Sequence, residues 1–164
     1  MKQRNYAFID QNLHLTTTEW YIDPVKFRIY LKDKYKIEKA YYFLHIIYEN
    51  NPLYTRLQEA FIVVFKKQME DMVTNKKNID SDLIFHVMEK LLEDKKFDKI
   101  VLVSDDFKIL VDYLIRKNRL QKILFPNKKF TSSMYKSVEL KYKDFLTNLK
   151  NRIEYKKHKK REAS

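Results

Sequence analysis

The chain has 164 residues, enough for one domain with a buried core, and a hydrophobic share of 45% excludes disorder. Its 34 Lys and Arg against 22 Asp and Glu leave a formal charge of +12, which favours polyanionic partners and puts nucleic acid ahead of an anionic membrane surface. It has no cysteine, so disulfides and thiolate metal sites are excluded and a reducing cytoplasm is the expected setting.

The N-terminus MKQRNYAFID has no apolar run of the signal-peptide kind, and no stretch approaches the length of a membrane span. Glycine is absent, where average usage near ~7% would give roughly a dozen. That matters because strand-to-helix turns commonly use glycine for positive φ or close backbone approach.

Asn5–Asp10 (NYAFID) reads as a first strand that ends in an acid, followed by a polar loop. Asp23-Pro24 is a helix start, with the aspartate as N-cap and proline in the first turn. Phe27, Tyr30 and Leu31 supply its apolar stripe. Ile37–Leu44 is the second strand. Asn51-Pro52 opens a short helix, and Phe61–Phe65 (FIVVF) is a third strand, apolar throughout as in a parallel sheet. After a charged connection over 66–77, a helix is expected from Asp80, with Leu83, Ile84, Val87, Met88, Leu91 and Leu92 on one face.

Ile100–Val103 is the fourth strand. Ser104, Asp105 and Asp106 follow it directly, before a helix from Phe107. One acid is enough to cap a helix, so two adjacent carboxylates there point to a divalent cation. Lys122–Phe125 is the fifth strand. Tyr142, Phe145, Leu146, Leu149 and Ile153 recur at helical spacing, so a long C-terminal helix is expected before the basic run Lys156–Arg161. Residues 136–164 carry ten Lys and Arg against four Asp and Glu, half of the chain's excess.

Strands alternating with helices imply an α/β/α fold around a five-stranded, mainly parallel sheet. In such sheets the site lies beyond the carboxyl ends of the strands, where the strand order reverses. Asp10 meets Asp105 and Asp106 there if the first and fourth strands are neighbours, and the helix from Asp80 should start at the same edge.

Three segments then stand out together. YAFIDQN resembles a strand ending in Asp-Gly-x-Asn, NIDSDLIFHVM an aspartate just before a helix, and IVLVSDDFKILVDYL a Ser-Gly-Asp-Gly-Asp-Phe motif. In this order they resemble the NYN family of PIN-like nucleases, in its LabA-like branch, over 6–136. The departures are of one kind: where the family carries glycine, this chain is one residue shorter. It reads as the family's motifs with their glycines taken out, so Asp105 and Asp106 match acids that are not adjacent in the family.

The resemblance implies a three-layer Rossmann-like (PIN-like) nuclease domain over 1–136, followed at 137–164 by the C-terminal amphipathic helix and basic tail. It implies hydrolysis of RNA phosphodiesters with Mg²⁺ or Mn²⁺. The physics agrees: clustered carboxylates repel phosphate unless a hard cation inverts the local charge, and these ions prefer oxygen ligands. Asp10, Asp105 and Asp106 are the expected ligands and Asp80 the fourth catalytic acid; Asp82 is close enough to share that role.

Helix capping is the competing reading for Asp80, Asp105 and Asp106 and the preferred one for Asp82, and an ordinary turn acid is the competing reading for Asp10. Asn12 and Ser104 are candidates to orient a ligand or touch phosphate, with an Asx-turn and a capping hydroxyl as the plainer readings. Lys66 and Lys77 are candidate phosphate contacts, against a solvated loop. His14, His45, His86 and His158 show no zinc spacing. RNA is the expected partner and a homodimer is compatible with the sequence. A catalytically silent RNA-binding relative is the first alternative; a receiver-like or phosphatase protein ranks lower, because Asn12 stands where a dehalogenase-type nucleophile motif needs a second aspartate.

Overall fold

The computed structural model describes residues 4–10, 20–45, 51–66, 75–94, 96–104, 107–125 and 133–156, with the backbone alone at 45, 51–54, 65–66 and 75–82. Six strands form one parallel sheet in the order β3-β2-β1-β4-β5-β6: β1 (Asn5–Asp10), β2 (Ile37–His45), β3 (Ile62–Lys66), β4 (Ile100–Val103), β5 (Leu120–Phe125) and β6 (Lys143–Phe145). β1 and β4 are buried along their whole length. They can be apolar throughout because helices cover both sides of a parallel sheet.

Two helices, α1 (Pro24–Tyr35) and α2 (Asn51–Ala60), lie on the side of Ala7, Ile9, Tyr42, Val101 and Val103. On the other side, α3 (Asn75–Glu93) and α4 (Lys108–Arg116) cover Tyr6, Phe8, Phe43 and Leu102. Each large side chain fully buried in these layers contributes about 1.5–3 kcal/mol relative to exposure. Asp23 caps α1 as its sequence implies: its Oδ1 accepts hydrogen bonds from the backbone N–H of Val25 (2.9 Å) and Lys26 (3.3 Å), and proline follows. Trp20 is partly buried against the first core, a packing role.

Three expectations need correction. The sheet has six strands, not five. The expected long C-terminal helix is instead a 3-10 turn over Ser133–Ser137, another over Leu140–Tyr142, strand β6, a 3-10 turn over Leu146–Leu149 and one short helix, α5 (Lys150–Ile153). The three-residue step from Leu146 to Leu149 suits a 3-10 turn as well as an α-helix, and β6 covers the edge that β5 would otherwise expose. Leu146, Leu149 and Ile153 are buried in the core beside α1.

The third correction concerns α3, which begins at Asn75 rather than at Asp80. Lysine favours helix, and Ile79 stands four residues before Leu83, extending the apolar row backwards. Asp80 is therefore inside the second turn and does not cap the helix.

Candidate metal centre

The chain runs from β1 outward to β2 and β3, then returns to the other side of β1 for β4 and β5. The strand order thus reverses between β1 and β4, and open parallel sheets bind their ligands at the carboxyl ends of the strands at such a point. Asp10 is the last residue of β1, and Ser104 follows the last residue of β4. The register Ile9↔Val103 sets the two side by side. Asp10 is 1% exposed and Ser104 3%, and the Ser104 hydroxyl donates to Asp10 Oδ2 at 3.1 Å.

Alternation along the strands turns Asp10 to the face of Phe8, the side covered by α3 and α4. On its other flank Asp10 pairs with Phe43 of β2, whose ring meets the His86 imidazole of α3 edge-on at 5.3 Å. His86 thus packs against Phe43. The negative charge of Asp10 is felt through the sheet: burial first, and Asp10 second, push the Tyr42 hydroxyl well above the usual tyrosine range.

α3 runs antiparallel to the strands. Near its C-terminus the Tyr6 hydroxyl donates to Asp94 Oδ2 at 2.5 Å, level with the start of β1, whereas His86 is level with Phe43 at the far end. At 1.5 Å per residue, positions 82 and 80 lie about 6 and 9 Å beyond His86 along the axis. The N-terminal end of α3 therefore overhangs the carboxyl edge where Asp10 sits, as the sequence suggested. Position 80 is three residues before Leu83 and seven before Val87, the two buried residues of that row. The backbone of Lys66, last in β3, and of Lys77, in the first turn of α3, belongs to the same edge.

Asn12, Asp105 and Asp106 lie outside the described residues. Among the described residues no group of three or more His, Cys, Asp or Glu side chains converges as a metal site; the structure brings together Asp10 and Ser104. Their chemistry suits a hard divalent cation, since the buried carboxylate and the adjacent hydroxyl are both oxygen donors.

One residue of the site carried no signal in the sequence. The buried Tyr135 hydroxyl accepts a hydrogen bond from the Phe107 N–H at 2.9 Å, and its ring packs edge-on against Phe125 at the end of β5. Tyr135 thereby anchors the far end of the segment that starts at Ser104. It is one of 12 tyrosines, and no motif or spacing marks it out.

A doubly wound parallel sheet with a buried acid at its reversal point is consistent with a PIN-like α/β/α fold. The NYN domain family model matches residues 6–150, and the chain belongs to that family. NYN domains are typically PIN-like nuclease domains. A solved structure of a Vibrio parahaemolyticus protein of unknown function is similar in fold, with a TM-score of 0.63 and 18% identity over 81% of this chain and 86% of that one. No curated protein shows significant similarity to the chain. Among the described residues no helix is long and apolar enough to cross a membrane.

Proposed function

We propose that this protein is an endoribonuclease that hydrolyses RNA phosphodiesters with Mg²⁺ or Mn²⁺ at the carboxyl edge between β1 and β4. The observation that carries the reading is the buried Asp10 carboxylate at the strand-order reversal, oriented by Ser104. Asp10, Asp105 and Asp106 would hold the ion, and Asp80, on the overhanging end of α3, would be the fourth acid. When bound, the ion polarises a phosphoryl oxygen and lowers the pKa of a water.

The chain's own residues do the rest. Ser104 fixes the rotamer of Asp10 and occupies one of its oxygens. Asn12 orients Asp10 or meets a phosphate, and Lys66 and Lys77 bring positive charge to the same edge. With 34 basic residues in the whole chain, the polyanion is attracted to the protein even though the site itself is acidic.

The test is cleavage of end-labelled single-stranded RNA by wild type and Asp10→Asn, each with Mn²⁺, with Mg²⁺ and with chelator. Wild type should cleave only with metal. Asp10→Asn should lose more than the roughly 10–100-fold that groups merely supporting a metal ligand cost. RNA binding without metal-dependent cleavage by wild type would replace this reading with that of a silent RNA-binding module.

A further inference from the structure

On the opposite layer from the Asp10 carboxylate, α1 and α5 enclose an open groove of about 350 Å³. Its lining is Lys26, Ile29, Tyr30, Asp33 and Lys34 from α1, and Arg152 from α5. The α1 positions are spaced three and four apart, so they form one continuous face. From Lys26 to Lys34 that face is about 12 Å long. Three cations line it against one acid.

The two walls are fastened together. The Asp23 N–H donates to the Ile153 carbonyl at 2.7 Å, and the Tyr155 N–H donates to the Tyr21 carbonyl at 2.7 Å. Lys26 Nζ donates to the Glu154 carbonyl at 3.1 Å, which holds one of its three protons and leaves two directed elsewhere. The Arg152 guanidinium lies over the Tyr30 ring, 5.5 Å from its centroid. Tyr30 is buried and Arg152 exposed, so the guanidinium presents its outer face to the groove's surroundings. Ile29 is 53% exposed between the charges.

We propose that this groove is a second docking site for single-stranded RNA, gripping the strand away from the point of cleavage. The inference rests on RNA being the substrate. Cations spread over the groove suit successive phosphates better than one compact anion. A guanidinium plane braced by an aromatic ring, beside an exposed isoleucine, offers a stacking and apolar surface for a base. An acidic peptide would use the cations and leave that surface without a partner.

The test uses the full chain without metal and a fluorescein-labelled oligouridine of about 12 nucleotides, within the span of single-strand sites. Affinity is read by anisotropy over a salt series for wild type, Lys34→Gln/Arg152→Gln, and the triple variant with Lys26→Gln added. The double variant keeps the Lys26–Glu154 bond, and thermal melting checks that both are folded. Loss of three phosphate contacts should weaken binding roughly tenfold or more at low salt and flatten the log K against log salt slope by about 2, with the double variant between.

Unchanged affinity and slope in folded variants would overturn the docking site, as would no RNA binding by wild type. Displacement of RNA by polyglutamate as readily as by unlabelled oligouridine would also overturn it, in favour of an acidic protein partner. None of these outcomes depends on cleavage: absence of metal-dependent cleavage by wild type removes the nuclease reading and leaves the slope measurement standing.

Discussion

Ser104 and Asp10, ninety-four positions apart in sequence, are joined by a hydrogen bond of 3.1 Å across the two central strands. Both are buried, so the bond orients a carboxylate that has given up most of its water. Hydrogen bonds to charged groups are worth about 1.5–3 kcal/mol, and a buried acceptor that loses its donor carries a desolvation cost. Ser104→Ala should therefore lower stability to urea by about 1–3 kcal/mol. In an Asp10→Asn background the same substitution should cost less, because the acceptor no longer bears the charge. Equal costs in the two backgrounds would show that the serine acts by packing alone.

Tyr135 should tie stability to activity. Its hydroxyl accepts from the Phe107 N–H at the start of α4, and Tyr135→Phe leaves that buried N–H without this acceptor while preserving the ring against Phe125. The expected cost is about 1–3 kcal/mol. Hydrogen exchange at Phe107 should speed up, and metal-dependent cleavage should fall further than global stability explains, because Asp105 and Asp106 lie between Ser104 and Phe107. Unaltered exchange at Phe107 would place the tyrosine's role elsewhere.

The Tyr6–Asp94 bond at the opposite edge sets an acid limit. The Tyr6 hydroxyl, and then the Lys96 N–H, hold the Asp94 carboxyl below the usual range. A depressed carboxylate contributes stability that is present above its unfolded pKa of about 3.9 and is lost as pH falls through the lower folded value. Tyr6→Phe should thus be less stable than wild type at pH 7, and the gap should close below about pH 4. The alkaline side has the reverse sign. Burial raises the hydroxyls of Tyr6, Tyr35 and Tyr42, so stability should fall as pH climbs past about 10, where the unfolded tyrosines ionise. Circular dichroism across both limits reads each effect.

What was legible in the sequence follows from how locally each feature is determined. β1 is a largely apolar run ending in Asp10 and β4 an apolar run ending before Ser104, so the limits of both are legible; Asp23-Pro24 contains its own cap, which marks the start of α1. β6 was hidden because three residues, Lys143–Phe145, carry no alternation, and their pairing with Ile123–Phe125 is visible only once β5 has an open edge. The start of α3 was hidden because Asn75–Asn78 has no apolar residue to mark a face. The meeting of β1 with β4 was expected only as a condition, since strand order is a property of the whole sheet; Ser104 and Asp10 fulfil it. Tyr135 was invisible because its function lies in one hydroxyl and one distant N–H.

The absence of glycine has a measurable consequence at helix ends. α1 closes on Lys36 at φ 56°, where the Lys36 N–H reaches the carbonyls of Leu31 and Lys32, and the turn after α4 puts Asn118 at φ 54°. Both are left-handed positions where glycine is the usual occupant, because a Cβ there crowds the following carbonyl. At Asn118 the Arg119 N–H bonds the Leu114 carbonyl at 2.8 Å and the Asn118 N–H bonds the Ile115 carbonyl at 3.0 Å, a Schellman closure that asparagine tolerates. Lysine has no such tolerance, and its Nζ reaches the Asp33 carbonyl at 3.5 Å. Relief of the crowding is opposed by the greater freedom of glycine in the unfolded chain, which leaves Lys36→Gly more stable by about 0.5–1 kcal/mol. Asn118→Gly should change stability by less than about 0.5 kcal/mol. A higher melting temperature for the first variant and little change for the second is the expected pattern; equal shifts would mean that the left-handed turn at Lys36 is unstrained.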